Sequence, residues 1–251
     1  MSEKTIGIIV RLVEFSESSC IVTLLTKDFG KITALAKGAR RRKSPFEGAL
    51  DLLSVSRIVF LHKTSDALDL LTEAKLERRF RSASSDLNRL YVGYYVAELV
   101  NAMTDEADSH PGLFELADDV LCELDRGESV CEQVFRLEIG ALKLLGHKPM
   151  LENCVGCGRE KKLRTERVNF GLHEGGILCD SCRQGKTNVV SLTLEAWQTL
   201  ANFAKELDAN AVGDDCRMEL RKFLNNYMSH HLGYRPRLQK YITEPSGKRI
   251  R

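Results

Sequence analysis

The sequence predicts an α+β protein, in which a small β-barrel precedes an α-helical domain that carries an inserted four-cysteine module. Strand-like segments fill the first 80 residues, helical periodicity begins near Asp86, and two Cys-x-x-Cys pairs stand at residues 154–157 and 179–182. The expected parts are a barrel at 1–80, a helical domain at 81–150 and 188–242, the cysteine module at 151–187, and a flexible tail at 243–251.

Five segments near the N-terminus have the alternation and the β-branched content of strands. They are residues 5–15, 20–26, 31–37, 52–61 and 68–76, with a hairpin turn predicted at residues 27–30. Five short strands in about 75 residues indicate an OB-fold, a five-stranded barrel that frequently binds oligonucleotides. The fold alone does not establish a function.

The third predicted strand leads into a basic loop, residues 37–45, which contains four consecutive basic side chains. Phosphate groups relieve the mutual repulsion of such charges, although a solvated charge run or a localisation signal has the same composition. The position beside a predicted barrel favours DNA. The candidate DNA-binding residues are Arg40, Arg41, Arg42 and Lys43, with Lys37, Arg11, Lys27 and Lys31 as additional candidates.

Aromatic residues that could stack on bases are few in this region. Phe15, Phe29 and Phe46 are expected to pack in the core, so no stacking platform is predicted.

The net charge of the chain is only +2, but it is unevenly distributed. Residues 1–81 carry 15 basic and 10 acidic side chains, whereas residues 82–150 carry 5 basic and 13 acidic ones. The basic N-terminal segment predicts a polyanionic partner. No transmembrane run or signal-peptide core is evident, so we expect a cytoplasmic protein without a membrane partner, whose thiols are reduced or bound to metal.

Helical spacing begins after Asp86, and the first helix is expected to be buried on nearly all sides. A second helix is predicted from Pro111 to a stop at Gly127, because proline favours the first turn and glycine the end of a helix. A third helix begins at a capping box, residues 129–132, and ends at Gly146.

Two more helices are predicted after the cysteine module, at about residues 194–207 and 215–232, with Gly233 ending the second. His230 and His231 lie near that end. The helix dipole explains two cationic side chains there more simply than metal binding does.

Cys154, Cys157, Cys179 and Cys182 form two Cys-x-x-Cys pairs that are separated by 21 residues. The two-residue spacer lets both thiolates of a pair turn toward one tetrahedral metal ion. A turn at residues 175–176 predicts a hairpin or short sheet between the pairs. The pattern indicates one structural Zn²⁺ per chain.

Other interpretations of these cysteines stay open. They could be ordinary buried thiols, a redox pair would need a βαβ context, and a catalytic zinc would need an open coordination position with an acid or base nearby. His173 and Glu174 do not form a His-Glu-x-x-His motif. Because no catalytic constellation is evident, no enzymatic activity is expected.

Several segments, taken in order, resemble the RecO family of bacterial DNA-repair and recombination mediators. The resemblance extends over about residues 5–242 and is carried by residues 7–11, 23–30 and 36–44, by 144–149 with the two cysteine pairs, and by 220–224 and 231–236. It implies a non-enzymatic protein with an OB-fold and a helical domain that carries a zinc module.

The resemblance also implies partners and activities. Members of the family bind single- and double-stranded DNA, anneal complementary strands, pair with RecR, engage the single-strand-binding protein and help to load the RecA recombinase, which places them at the nucleoid. Two other function classes stay open. A zinc-dependent nucleic-acid-modifying enzyme would need an open metal site, and a zinc-ribbon adaptor in transcription or replication would show no salt-dependent affinity for DNA.

Overall fold

The structure, a computed structural model, describes residues 2–41, 43–46, 48–63, 68–82, 86–160, 166–205 and 213–242. It divides the chain into two compact units, Met1–Val130 and Cys131–Arg251. Arg42, Leu207 and the tail predicted at 243–251 lie outside the described residues.

The first unit contains a closed five-stranded barrel. Its strands are β1 (Ser2–Glu14), β2 (Cys20–Thr26), β3 (Gly30–Ala36), β4 (Val55–Leu61) and β5 (Asp69–Arg78). Their order around the barrel is β1-β2-β3-β5-β4, with β4 antiparallel to β1 and β3 parallel to β5. This is a five-stranded OB-fold barrel, so the predicted fold class is confirmed.

Apolar side chains fill the barrel. Ile9, Val22 and Leu24 from the first two strands meet Ile58 and Phe60 from β4 in one buried cluster. Two of the three phenylalanines also pack as expected: Phe46 is buried, and the ring of Phe29 lies edge-on to that of Phe60 with centroids 5.4 Å apart. The third, Phe15, is 62% exposed, so its predicted place in the core is wrong.

Two helices complete the first unit, α1 (Leu87–Met103) and α2 (Pro111–Arg126). The Asp86 carboxylate caps α1 by accepting from the backbone N–H groups of Asn88 and Arg89. The prediction that α1 is buried on nearly all sides is wrong for its first turn, where Leu87 is 60% exposed. Helix α2 starts and stops as predicted, and Gly127 ends it in the left-handed conformation.

The second unit combines helices with a small sheet. Its helices are α3 (Val130–Leu144), α4 (Leu194–Ala204), α5 (Asp214–Leu232) and α6 (Gln239–Ile242). Strands β6 (Arg167–Gly171), β7 (Gly176–Leu178) and β8 (Val189–Thr193) form a sheet of order β7-β6-β8. The expected hairpin between the cysteine pairs is β6–β7, whereas β8 was not predicted.

Aromatic packing joins the sheet of the second unit to α5. The Phe170 ring of β6 lies edge-on to Phe223 and Tyr227, with centroids 4.9 and 5.3 Å away. A buried ion pair between Glu138 and Arg221 connects α3 to α5. None of the helices in the described residues has the length and apolar character needed to cross a membrane.

Candidate functional site

The four cysteine side chains of the two Cys-x-x-Cys pairs converge in the second unit. Their sulfur atoms all lie within 4.8 Å of one another, and those of Cys157 and Cys179 are 3.8 Å apart. In a tetrahedral site with Zn–S bonds of about 2.3 Å, the sulfurs are separated by roughly 3.8 Å. The cluster therefore has the ligand type and spacing to hold one metal ion such as zinc.

Local sequence brings the two pairs together. The first pair lies on a tight turn in which the Gly158 N–H donates to the Cys154 carbonyl, at 2.7 Å, with Gly158 at a φ of +71°. A Cβ at Gly156 would lie 2.9 Å from the Cβ of Cys182, so only glycine permits this approach. The Val155 N–H donates to the Ile177 carbonyl at 3.0 Å, which ties the turn to β7.

Backbone donors favour thiolate at one cysteine. Burial raises the pKa of Cys154, but the backbone N–H groups of Cys179, Gly156 and Cys157 outweigh it and lower the pKa to about 6. The neighbouring thiols of Cys179 and Cys157 raise the pKa of Cys182 to about 12. A cation among the sulfurs is therefore needed before all four can be thiolates near neutral pH.

The basic loop lies at one end of the barrel and is bonded to the β1–β2 connection, residues 15–19, here called the hairpin loop. The Arg40 N–H donates to the Ser18 carbonyl at 3.1 Å, and the Gly38 N–H donates to the Ser19 Oγ at 3.3 Å. The two loops thus form one surface, here called the barrel end.

The predicted DNA-binding residues near the barrel end differ in how accessible their charges are to a phosphate. Lys37, Arg41 and Lys43 are exposed, as is Arg11 on β1. The Arg40 guanidinium forms an ion pair with Glu14 at 2.9 Å, so part of its charge is neutralised. Arg42 lies outside the described residues.

Lys27 and Lys31 lie at the opposite end of the barrel. Cys20 pairs with Ala36 beside the basic loop, and Thr26 pairs with Gly30 at the far end, about 20 Å away at the usual rise of a strand. Lys27 forms an ion pair with Glu115 at 3.5 Å.

Lys31 is buried and donates from Nζ to the carbonyls of Asn101, at 3.1 Å, and Thr104. Desolvation lowers the pKa of Lys31. Its ammonium group is bound to carbonyls at the C-terminal end of α1 and is not available to a phosphate. The expectation that Lys31 binds DNA is therefore corrected.

Two family models together match nearly the whole chain. The model described as Recombination protein O N terminal matches residues 1–80, and the model described as Recombination protein O C terminal matches residues 84–240. The chain belongs to the RecO family. The predicted resemblance is thereby confirmed.

Curated relatives in the RecO family are similar to this chain over nearly their whole length. The chain is 38% identical to a DNA repair protein RecO of Rhodopirellula baltica, over 95% of this chain and 98% of the relative. It is 31% identical to one of Anaeromyxobacter, over 96% of each, and 26% identical to one of Halalkalibacterium halodurans, over 97% and 95%.

Sequence reasoning missed Glu14 and misplaced Phe15, at the end of β1. Glu14 neutralises part of the charge of Arg40, and Phe15 is exposed rather than in the core. The polar run that follows, residues 16–19, could have indicated that the chain has left the barrel core by Phe15.

Proposed function

We propose that this RecO-family chain binds the phosphate backbone of single- and double-stranded DNA at the barrel end. The observation that carries the proposal is the exposure of Lys37, Arg41 and Lys43 on a loop that is hydrogen-bonded to the hairpin loop. Cations that neutralise phosphates release counterions, and such contacts carry no sequence information. Arg42 and Arg11 belong to the proposed set, and Arg40 contributes less. Lys27 and Lys31, at the opposite end of the barrel, are not part of this set.

The proposed cellular role follows from the family. The chain would anneal complementary strands and, with RecR, help to load RecA onto strands coated by the single-strand-binding protein. Family membership and the relatives' shared description as DNA repair proteins support this role. A basic barrel end suits annealing, because two strands approach only when their charges are neutralised. In this role the chain acts without catalytic turnover, on DNA in the bacterial cytoplasm.

The proposed cofactor is one structural Zn²⁺, held by Cys154, Cys157, Cys179 and Cys182. Tetrahedral thiolate sets are typical of zinc, and four protein ligands leave no open position for a substrate. A bound ion would cross-link the turn that precedes β6 to the chain that follows β7, which gives it a structural role.

The DNA-binding proposal is tested with a triple variant, Lys37→Ala, Arg41→Ala, Lys43→Ala. The matched control, Lys4→Ala, Lys63→Ala, Lys75→Ala, removes the same charge from exposed positions elsewhere on the first unit. Fluorescence anisotropy with labelled strands of unrelated sequence should show affinity falling about tenfold or more for the first variant, equally for every sequence. The rate of strand annealing should fall with it.

The control variant should stay within about twofold of wild type, because its charges belong to neither the basic loop nor the hairpin loop. Wild-type affinity in the basic-loop variant, or an equal loss in both variants, would contradict the proposal.

A further inference from the structure

The β1–β2 ribbon carries apolar side chains that are partly or largely exposed. Leu12 and Val13 are 40% and 39% exposed, and Phe15 is 62% exposed. The backbone is nevertheless ordered by pairing, since Leu12 stands opposite Val22 and Glu14 opposite Cys20. An exposed aromatic ring on an ordered ribbon has the character of a contact surface, because the water around it is released on binding.

Hydrogen bonds hold Phe15 in place. Its own N–H donates to the Ser19 carbonyl at 3.0 Å, and the Ser16 N–H donates to the same oxygen at 3.2 Å. These bonds close the hairpin loop into a tight turn that starts at the phenylalanine. The ring is therefore presented at the barrel end without the entropy cost of ordering a flexible loop.

The charges around Phe15 identify what the ring can meet. The preceding residue, Glu14, pairs with Arg40, and the hairpin loop, which also carries the exposed Glu17, is bonded to the loop that carries Lys37 and Arg41. A ring on a loop that is hydrogen-bonded to a loop with exposed cations matches a chain that offers phosphates and unpaired bases in alternation. Single-stranded nucleic acid has this chemistry, whereas a duplex hides the faces of its bases.

We propose that Phe15 stacks on an unpaired base of a single strand whose phosphates lie along the basic loop. This inference rests on the proposed DNA-binding function and deepens it. Stacking is independent of sequence because every base has a π-face, so the contact gives a preference for single strands without base readout.

The test measures affinity for three probes of equal length: oligo(dT), an abasic oligonucleotide with the same phosphates, and a duplex. Phe15→Ala should weaken binding of oligo(dT) about fivefold or more and leave binding of the abasic strand and the duplex unchanged. Phe15→Leu, which keeps an apolar side chain, should behave like Phe15→Ala. Phe15→Trp, which keeps an aromatic ring, should bind oligo(dT) like wild type. Tyr234→Ala, at a residue that is 50% exposed in the second unit, is the control and should bind like wild type.

Fluorescence gives a direct reading of the stack. The chain has one tryptophan, Trp197, whose indole N–H donates to the Leu151 carbonyl in the second unit. In Phe15→Trp, oligo(dT) should quench the fluorescence of the introduced tryptophan, because a stacked base quenches the indole. The abasic strand should leave this fluorescence unchanged.

The outcomes separate the two levels of the proposal. If wild type binds oligo(dT) and Phe15→Ala binds it equally well, or if Phe15→Ala loses affinity for the abasic strand by the same factor, the stacking inference is overturned while DNA binding stands. If Phe15 instead contacts another protein, Phe15→Ala should bind oligo(dT) as well as wild type does. If wild type binds no probe at all, both proposals fail.

Discussion

His231 lies among aromatic rings near the end of α5. We expect its titration to change the free energy of unfolding. Its ring centroid is 4.5 Å from that of Tyr227 and 4.6 Å from that of His147, and His230 is also adjacent. Burial, with the charges of His147 and His230, lowers the pKa of His231 to about 4. The unfolded chain has an ordinary pKa near ~6.5, so it takes up a proton between pH ~6.5 and ~4 that the folded state does not.

The stability of the second unit should therefore fall as the pH falls through this window. The full difference in pKa corresponds to about 3 kcal/mol, and because the ring is partly exposed we expect about 1–2 kcal/mol. Urea denaturation of wild type and His231→Phe at pH 7.5 and 5 measures this effect. The variant should lose less stability than wild type, and the comparison cancels contributions that both proteins share, such as release of metal.

His230→Gln is the control for this experiment and should keep most of the wild-type pH dependence. Equal losses of stability in wild type and His231→Phe would show that His231 does not set the dependence.

Lys31 illustrates a limit of sequence reasoning about single side chains. Its positive charge and its place on a barrel strand are typical of a DNA contact. The carbonyls that accept from its ammonium group, however, belong to Asn101 and Thr104, 70 and 73 residues further along the chain. Local patterns contain no information on such distant partners. The same limit applies to Phe15, whose exposure depends on where the barrel core stops.

Gly30 begins strand β3 at a close approach between two parts of the first unit. It has a φ of +69°, and a Cβ there would collide with the carbonyl group of Asp108. Gly127 also has a positive φ, +97°, but nothing lies within 4 Å of its Cβ position. Gly30→Ala should therefore lower the free energy of unfolding by about 2–4 kcal/mol, and Gly127→Ala by about 1 kcal/mol.

Chemical denaturation of the two variants tests this difference, because both place an alanine at a positive φ and only Gly30→Ala adds the collision. Equal destabilisation by the two substitutions would show that the segment around Asp108 moves aside without cost.

The strands and helices themselves were largely predictable from the sequence, because their limits depend on local features. Strand alternation identified all five barrel strands, and Pro111, Gly127 and Gly233 marked the ends of helices that the structure confirms. Strand β8 was missed for a physical reason. It runs directly into α4 at Thr193, without a turn between them, and its partner β6 lies about 20 residues earlier.

The cysteine cluster should bind one equivalent of zinc and stabilise the second unit. Thiolate coordination contributes folding free energy, on the order of 10 kcal/mol in small zinc peptides, and here the packing between α5 and β6 should preserve part of the fold without metal. Metal analysis and thermal unfolding of wild type, Cys157→Ser and Cys216→Ser test this. The first variant should lose the metal and unfold at lower temperature, whereas Cys216 lies outside the cluster and its variant should keep the metal.

Cobalt substitution should give the absorption spectrum of tetrahedral thiolate coordination. Freshly purified protein that is fully folded with far less than one zinc per chain would contradict the assignment.

The two candidate sites belong to different compact units of the molecule. The basic loop is part of the first unit, and the four cysteines are part of the second. The fold class and the convergence of the cysteines were accessible from sequence, since strand number, helix periodicity and Cys-x-x-Cys spacing are properties of the chain itself. The availability of each basic side chain was not, because ion pairs such as Arg40–Glu14 form only in the folded barrel.

The central claim, that the basic loop neutralises DNA phosphates, is tested most directly by the salt dependence of affinity. The measurement is the slope of log affinity against log salt concentration for a labelled single strand, in wild type and in the Lys37→Ala, Arg41→Ala, Lys43→Ala variant. Each lost phosphate contact should flatten the slope by about 0.7, so we predict a change of about two units. A variant that keeps the wild-type slope would show that the basic loop is a solvated charge run and that DNA binds elsewhere.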